Sequence, residues 1–403
     1  MSEDPLKALA HKPATRLVEA GRRREWLGVP GQPGGVVNPP VWRASTHLYE
    51  NSADLAKGRP NEDGHFYYGR RGGPTQWALA DALTGLEPGA EGTELFPSGV
   101  AAIAATLLAL LRPGDEVLFA DNVYEPTRNI ALTLLRQYGV IARAFDPLDP
   151  AGFAAMIGPE TRVAMLENPG SLTMEVCDIP ALTAIARELG VLTVLDNTWA
   201  TGLGFPAIAH GCDVSLMSLT KHVGGHSDLM LGSVSAAAPV IGRIRRQTQL
   251  LGQVISPDDA SLALRGLRTM GLRLERSTAS ALKLAQWLSA RPEVGAVMCP
   301  MLPGVPGHDL WARDFTGGCG LFSFTLAQPD PFARARFIDA LKLFGIGFSW
   351  GGFESLVIPF DPAAIRAYRP LVPGAGVRLS IGLEDAEDLI ADLDAGFAAM
   401  GSA

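Results

Sequence analysis

The chain has 403 residues, of which 47% are hydrophobic and 19% are charged, enough to bury a large core in two domains. Its net charge of -8 offers no basic excess with which to neutralise phosphates, so nucleic acid is not expected as a partner. The four cysteines are widely spaced, without a CxxC or Cys/His ligand pattern, and indicate reduced thiols in a cytosolic protein.

The N-terminal region is rich in glycine and proline and shows little periodicity. We interpret residues 1–62 as an extended N-terminal arm that lies against another part of the assembly, with a disordered tail as the alternative. The first residues lack the apolar segment of a secretory signal, and the apolar run at residues 101–111 is too short to span a bilayer. The sequence therefore predicts a cytoplasmic protein without a membrane partner.

Short apolar strands and helical segments alternate from about residue 75 onward. Helices are predicted at residues 75–86, 99–111, 125–139 and 180–190, and strands at residues 93–96, 116–120, 140–145, 162–167, 191–196 and 213–219. This alternation is typical of βαβ units in an α/β protein with a doubly wound, mostly parallel sheet. Ligands of such sheets bind where the strands end and the helices begin.

The character of the sequence changes after a long helical stretch at residues 256–294. A smaller α+β domain is predicted from the elements that follow, at residues 321–326 (strand), 331–344 (helix), 377–383 (strand) and 384–400 (amphipathic helix). We therefore place a large ligand-binding domain at residues 63–265 and a C-terminal domain at residues 266–403.

The segment SLTKHVGGHSD places a lysine in a glycine-rich turn directly after a predicted strand. Lys221 is thereby well placed to meet a ligand in the crevice beside the sheet. Ser218 and Thr220, just before it, carry hydroxyls that could donate hydrogen bonds to a phosphate. For this segment taken alone, an exposed loop lysine is the alternative.

A second strand end carries a carboxylate. In VLTVLDNTWATG, Asp196 ends an apolar strand, so its side chain should face the same crevice as Lys221. Pyridoxal phosphate requires such a pair, because a lysine binds it as a Schiff base and a carboxylate at its ring nitrogen makes the ring an electron sink. Capping of the following turn is the alternative for Asp196. The pair predicts pyridoxal 5'-phosphate as the cofactor of an amino-acid-processing enzyme.

Two further segments offer a site for the phosphate of this cofactor. FPSGVAAIAAT puts Gly99 and Val100 at a strand-to-helix junction, where free N–H groups and the helix dipole bind anions. HFYYGRRGGPT adds Tyr68 and Arg70, and an arginine can bind a phosphate through two hydrogen bonds. An ordinary helix start and a basic surface turn are the respective alternatives.

An aromatic ring and a strand arginine complete the candidate site. Tyr124, shortly after a strand, could stack on the cofactor ring or simply pack at a helix start. Arg378 lies on an otherwise apolar strand and needs an anion, either the α-carboxylate of a substrate or the acidic partner in a salt bridge.

We interpret His222, His226 and Asp228 as hydrogen-bonding groups of a loop, and we predict no metal site.

Taken in order, the motifs resemble those of the Cys/Met-metabolism family of pyridoxal-phosphate enzymes, and most closely its bacterial cystathionine β-lyase branch. The resemblance covers nearly the whole chain and rests on VVNPPVWRAST, YYGRRGGPT, LFPSGVAA, YEPTR, ENPGSLTMEV, LDNTWATG, SLTKHVGGHSD, ALRGLRTMGLRL, SWGGFESL and VRLSIGLEDAEDLIADLDAGF. It implies a type I aminotransferase-like fold, a role in methionine biosynthesis by transsulfuration, and a homotetramer built from dimers with shared active sites.

The resemblance also implies roles for individual residues. Lys221 would hold the cofactor and carry the α-proton, Asp196 would bind the ring nitrogen, and Tyr124 would stack on the ring and assist catalysis. The phosphate would be held within the subunit by Gly99, Val100, Ser218 and Thr220. Across the dimer, the same phosphate would be reached by Tyr68 and Arg70. The substrate would be bound by Arg378, Ser349, Trp350 and Tyr67.

The implied reaction is an α,β-elimination that releases a thiol, pyruvate and ammonia, and the thiol from cystathionine would be homocysteine. ENPGSLTMEV stands where the wider family has an ESPxNP segment, and this difference favours a β-lyase. Gln249 stands where the branch has a tyrosine near the distal end of the substrate, so a smaller cysteine S-conjugate, or cysteine, is an alternative substrate. The alternative functions are a γ-synthase or sulfhydrylase acting on O-acylhomoserine, and a non-catalytic cofactor-binding regulator.

Overall fold

A computed structural model describes residues 11–29, 31–58, 66–362, 365–368 and 375–400. The parts of the predicted arm at residues 1–10, 30 and 59–62 lie outside the described residues. The described part of the arm contains three short helices: α1 (Pro13–Glu19), α2 (Arg24–Leu27) and α3 (Ser52–Ala56).

A mostly parallel sheet forms the first half of the structure. It has seven strands in the described part of the chain, in the order β1-β7-β6-β5-β4-β2-β3. These are β1 (Gly92–Phe96), β2 (Glu116–Ala120), β3 (Ile141–Phe145), β4 (Thr161–Glu167), β5 (Leu192–Asp196), β6 (Val214–Ser218) and β7 (Gly232–Ala236). Among these described strands, β7 alone runs against the others, pairing antiparallel with β1 and β6. The predicted α/β fold with a mostly parallel sheet is therefore confirmed.

The sequence analysis did not predict β7, and its composition explains why. All of its residues are buried, yet its sequence, GSVSA, alternates serine with small apolar residues and lacks the bulky apolar run of a parallel strand. The hydroxyl of Ser235 lies 2.8 Å from that of Thr93 on β1, a hydrogen bond that satisfies both buried groups. A strand that buries serines between small residues lacks the apolar signal of a typical buried strand.

Helices cover the first sheet. They are α4 (Pro74–Thr84), α5 (Gly99–Leu110), α6 (Glu125–Asn129), α7 (Pro150–Met156), α8 (Ile179–Glu188), α9 (Thr201–Gly204) and α10 (Val240–Leu250). The side chains of Ser98, Asp149 and Asp178 cap α5, α7 and α8 by accepting a backbone N–H of the first turn. After α6 the chain continues as a π-helical stretch, Ile130–Leu135, so the helix predicted at residues 125–139 changes its geometry midway.

A second, smaller sheet lies in the C-terminal part of the chain. Among the described residues its strand order is β10-β11-β12-β9-β8, with β8 (Val294–Met298), β9 (Leu321–Leu326), β10 (Gly345–Ile346), β11 (Leu356–Phe360) and β12 (Gly376–Ser380). The helices of this part are α11 (Pro257–Ser289), α12 (His308–Asp314), α13 (Pro331–Ala340) and α14 (Ala386–Met400). As its pattern predicts, α14 buries Leu389, Leu393 and Phe397.

The long helix α11 passes through the predicted domain boundary at residue 265, and the domain limits stay a prediction. This helix also contacts the N-terminal segment: Arg268 Nη1 donates hydrogen bonds to the carbonyls of Leu17 (2.7 Å) and Ala20 (2.6 Å). The described arm thus contacts its own chain, and its contact with another subunit stays a prediction.

No helix within the described ranges has the length and apolarity needed to cross a membrane.

Candidate active site

Several strand ends meet at one edge of the first sheet. The carboxyl ends of β1, β2, β4, β5 and β6 lie at the same edge because these strands run in one direction. The residues that end or follow these strands include Gly99, Tyr124, Glu167, Asp196 and Lys221. The structure thus brings the lysine and the aspartate to one edge, where ligands of such sheets bind.

Lys221 lies in the turn after β6, and its amine contacts residues of the C-terminal part. Its Nζ donates a hydrogen bond to Ser349 Oγ over 2.7 Å and lies 5.3 Å from the centroid of the Trp350 ring. Burial, helped by the charge of Arg378 and opposed by that of Asp196, lowers the pKa of Lys221 to about 8. Near that pH the amine is partly neutral, as a nucleophile or a general base requires.

Ser349 connects the lysine to the second sheet. It adopts a φ of 85°, in the left-handed region that residues with a side chain rarely occupy. Its hydroxyl accepts the hydrogen bond from Lys221, and its carbonyl accepts one from Arg378 Nη2 over 2.8 Å. A single residue in an unfavourable conformation therefore links the amine to the guanidinium.

Arg378 lies on the strand β12, between β11 and β9, and is only 8% exposed. Burial lowers the pKa of Arg378 to about 10. Its Nε is buried without a hydrogen-bond partner, and no carboxylate of the described residues forms an ion pair with it. A buried cation with an unused donor requires an anion. The geometry favours a bound carboxylate over the structural salt bridge considered as the alternative.

Asp196 ends β5, opposite Leu216 of β6 and Glu167 of β4. Its Oδ1 accepts hydrogen bonds from the backbone N (3.1 Å) and the hydroxyl (2.5 Å) of Thr198. Burial raises the pKa of Asp196, and the bonds from Thr198 and the charge of Lys221 oppose that rise. A cationic group at the carboxylate would keep it ionised, and a protonated pyridine nitrogen is such a group.

The start of α5 forms a site for an anion. Ser98 Oγ accepts the backbone N–H of Ala101 over 3.1 Å, whereas the N–H groups of Gly99 and Val100 point out of the first turn without a helical acceptor. A Cβ at position 99 would lie 2.9 Å from Ser218 Cβ, closer than such atoms approach. Glycine is therefore needed here, because α5 starts directly against the end of β6.

Hydrogen bonds of Ser218 and Thr220 fix the turn that carries the lysine. Thr220 Oγ1 donates to the carbonyl of Leu231 (3.2 Å) and accepts its backbone N–H (3.1 Å). The backbone N of Ser218 donates to Thr198 Oγ1 over 2.8 Å. Thr198 thus connects the end of β6 to Asp196. The phosphate contacts expected of Ser218 and Thr220 stay predictions.

Tyr124 directly precedes α6 and leaves 45% of its surface exposed. Its backbone N donates a hydrogen bond to Glu167 Oε2 over 2.6 Å. Burial of its hydroxyl, followed by the negative charges of Glu167 and Asp196, raises the pKa of Tyr124. The charge of the carboxylate expected to bind the ring nitrogen thus acts on the tyrosine hydroxyl, and the tyrosine has an exposed surface on which a ring could stack.

Tyr67, Tyr68 and Arg70 are exposed, and no hydrogen bond between described residues joins them to the surroundings of Lys221. Arg70 Nη1 donates instead to the carbonyl of Gln249, near the end of α10, over 3.2 Å. Both residues line a cavity of about 450 Å³ that Lys221 does not line. The structure therefore brings together two residues that the sequence analysis treated separately.

The histidines of the lysine turn make local contacts. The His222 ring lies edge-on to Trp350, with centroids 5.2 Å apart, and burial lowers the pKa of His222 to about 3. His226 Nδ1 lies 2.8 Å from the carbonyl of Gly224. In the part of the chain that the structure describes, no group of three or more His, Cys, Asp or Glu could hold a metal ion.

Glu167 is a residue of this edge that the sequence analysis did not single out. It ends β4 beside Asp196 and accepts the backbone N–H of Tyr124. The signal was the one used for Asp196, a carboxylate at the end of an apolar strand, here RVAMLE.

These residues fit pyridoxal phosphate in each of its parts. The helix start at Gly99 offers N–H groups to a phosphate, and Asp196 offers a buried carboxylate to a pyridinium. Lys221 offers an amine of lowered pKa to an aldehyde. The unpartnered Nε of Arg378 remains for the carboxylate of an amino acid.

Comparisons with known proteins agree with this geometry. The family model described as Cys/Met metabolism PLP-dependent enzyme matches residues 14–398. The chain is 42% identical to cystathionine beta-lyase MetC of Escherichia coli, over 95% of this chain and 98% of that protein. It is 44% identical to a putative cystathionine beta-lyase of Rhizobium johnstonii, over 91% and 92% of the two chains. The crystal structure of metB from Corynebacterium glutamicum aligns with a TM-score of 0.86 at 30% identity, covering 98% of this chain and 99% of that one.

Proposed function

The chain belongs to the Cys/Met metabolism family of pyridoxal-phosphate-dependent enzymes and is a carbon–sulfur β-lyase, and we propose that its substrate is cystathionine or a related cysteine S-conjugate. From cystathionine and one water, α,β-elimination gives homocysteine, pyruvate and ammonia. The observation that carries the proposal is the link through Ser349, which joins the amine of Lys221 to the guanidinium of Arg378. A base beside a carboxylate-binding cation is what a reaction at the Cα of an amino acid requires.

In this reaction the residues of the chain have separate roles. Pyridoxal phosphate, when bound, supplies an electron-withdrawing ring that weakens the bonds at the substrate's Cα. Arg378 binds the α-carboxylate and so fixes the position of the Cα–H bond. Lys221 takes the Cα proton on Nζ, and its hydrogen bond to Ser349 Oγ keeps that nitrogen in place. The proton on Nζ is then available to the sulfur that leaves Cβ.

Other residues of the sheet edge hold the cofactor. Asp196 would bind the ring nitrogen, and Tyr124 would cover the ring. The N–H groups of Gly99 and Val100 would bind the phosphate at the start of α5. Tyr124 and Arg378 each shift the pKa of the other by their charges. The cofactor under Tyr124 and the substrate at Arg378 would therefore share one site.

We further propose that the active sites are shared between subunits of a cytoplasmic homotetramer built from dimers, without nucleic acid or membrane as partners. Tyr68 and Arg70 are exposed and have no hydrogen bond to the surroundings of Lys221 in the described residues. In this arrangement, Arg70 of the partner subunit would reach the phosphate. Gln249, whose backbone carbonyl accepts a hydrogen bond from Arg70, would lie near the distal part of the substrate, as the family resemblance implies.

The function is tested by incubating the purified protein separately with cystathionine, cystine and cysteine, and by identifying the keto acid and the thiol. Pyruvate with homocysteine is expected from cystathionine. Formation of 2-oxobutanoate would assign γ-elimination chemistry, as in the γ-synthase alternative. No product from any of the three, with the cofactor bound, would assign the regulatory alternative. Comparing Gln249→Tyr with the parent protein on cystathionine and cysteine measures what position 249 contributes to the choice of substrate.

A further inference from the structure

Glu167 lies at the end of β4, directly opposite Asp196 in the pairing of β4 with β5. Its side chain is half-buried. Its side chain therefore lies beside the carboxylate that faces the ring nitrogen, without being that carboxylate. The proposed function gives it no role.

The carboxyl group of Glu167 holds the main chain of Tyr124. Its Oε2 accepts the backbone N–H of Tyr124 over 2.6 Å, and this N–H has no acceptor within the helix that follows. Asn122 Nδ2 donates to the backbone carbonyl of Glu167 over 3.4 Å. Two residues of the loop between β2 and α6 are thus attached to the end of β4.

The hydrogen bond to Tyr124 does not depend on a negative charge. Burial raises the pKa of Glu167 well above its usual range, and the charge of Asp196 acts in the same direction. A neutral carboxyl group still accepts an N–H through its carbonyl oxygen.

We propose that Glu167 is a positioning residue, which fixes the backbone of Tyr124 so that the tyrosine ring stays over the cofactor ring bound by Asp196. This inference rests on the proposed function for the role of Tyr124. Glu167 itself would touch neither substrate nor cofactor. The competing account is a purely structural one, in which Glu167 only secures the loop and the orientation of the cofactor does not depend on it.

Four variants separate these accounts: Glu167→Gln, Glu167→Ala, Tyr124→Ala and the double alanine variant. Two measurements apply to each, the dissociation constant of pyridoxal phosphate and the circular dichroism of its visible absorption band, which reports the orientation of the ring. Glu167→Gln keeps an oxygen acceptor for the N–H, so we expect values within about twofold of the parent protein. Glu167→Ala should weaken cofactor binding by about tenfold and diminish the visible dichroism, because the Tyr124 N–H loses its acceptor.

The double variant carries the decisive comparison. If Glu167 acts through Tyr124, the double variant should bind the cofactor as Tyr124→Ala does, within about twofold. Additive losses would overturn the proposal, as would a visible band unchanged in Glu167→Ala. Equal losses in Glu167→Gln and Glu167→Ala would also overturn it, because they would assign the effect to charge.

Two controls complete the experiment. Glu125→Ala removes a carboxylate next to Tyr124 in sequence but leaves the bond to its N–H, so it should bind the cofactor as the parent protein does. Thermal unfolding of the cofactor-free proteins identifies any variant that fails to fold, and Glu167→Gln then still tests the role of the acceptor. The parent protein could form no pyruvate while the double variant still binds the cofactor as Tyr124→Ala does. That result would contradict the proposed substrate and leave this inference standing.

Discussion

Lys221 Nζ and Ser349 Oγ lie 2.7 Å apart, and this hydrogen bond joins the turn after β6 to the C-terminal part of the chain. The residues are separated by 128 positions in the sequence. The carbonyl of Ser349 also accepts a hydrogen bond from Arg378 on β12, so movement of the C-terminal part against the first sheet would shift the carboxylate site relative to the base. The relative position of the two functional groups therefore depends on the packing of the two parts.

Replacing Lys221 by alanine should abolish covalent attachment of the cofactor and lower kcat by about 10²- to 10⁴-fold, the range typical of a lost general base. Borohydride reduction followed by peptide mass spectrometry checks the attachment, because it traps the cofactor on the lysine that carries it. The parent protein should yield a modified peptide containing Lys221. Modification of another lysine in the parent protein would contradict the assignment.

The rate at which cofactor-free protein captures pyridoxal phosphate should rise with pH and level off above about 8. Only the neutral amine attacks an aldehyde, and the pKa of Lys221 is lowered to about 8, so its neutral fraction grows through that pH. Arg378 contributes to the lowering, so the midpoint in Arg378→Gln should move to higher pH. Stopped-flow absorbance over a pH series measures both midpoints. A midpoint near 10 in the parent protein would show an amine without a lowered pKa.

Arg378→Ala should raise KM by about 10²- to 10³-fold while leaving the cofactor bound, because a charge-assisted pair with the substrate carboxylate is lost. Steady-state kinetics and equilibrium dialysis of pyridoxal phosphate measure the two effects separately. Arg378→Lys keeps the charge without the forked geometry and should lie between alanine and the parent protein. Release of the cofactor from the alanine variant would assign the arginine to the cofactor instead.

The sequence predicted the strand ends well, because Asp196 and Lys221 follow apolar runs whose type and direction are set by local pattern. It did not reveal the contact of Lys221 with Ser349, since a hydrogen bond across 128 residues depends on how two sheets pack. Ser349 entered only through the family resemblance. The strand β7 was missed because it alternates buried serines with small apolar residues, and the hydroxyl of Ser235 is paired with that of Thr93. Glu167 was recoverable from the sequence, as it ends a strand in the same way as Asp196.

Shared active sites predict complementation between two inactive variants. Lys221→Ala and Arg70→Ala, co-expressed with different tags, should form mixed dimers in which one site has both intact residues. For random pairing in two-fold symmetric dimers, about a quarter of the parent activity is expected. Each variant expressed alone serves as the control. If both catalytic groups act within one chain, the mixed dimers would retain only the activity of the Arg70→Ala subunit.

A fully buried glutamate should make stability depend on pH. Glu87 is fully buried, and its Oε1 accepts hydrogen bonds from Ser215 Oγ (2.5 Å) and Asn197 Nδ2 (3.1 Å). Burial outweighs these bonds and raises the pKa of Glu87 to about 7. The folded protein therefore holds this proton more tightly than the unfolded chain, where the pKa of the glutamate has its ordinary value near 4.5.

The contribution of Glu87 to the free energy of unfolding should be full below pH 4.5 and should be lost as the pH rises through about 7. The difference between the two pKa values corresponds to about 3 kcal/mol. Glu87→Gln carries no titrating proton, so the free energy difference between the parent protein and this variant should change by that amount over the same interval. Urea unfolding at several pH values measures it. A constant difference would mean that Glu87 has the same pKa in the folded and unfolded states.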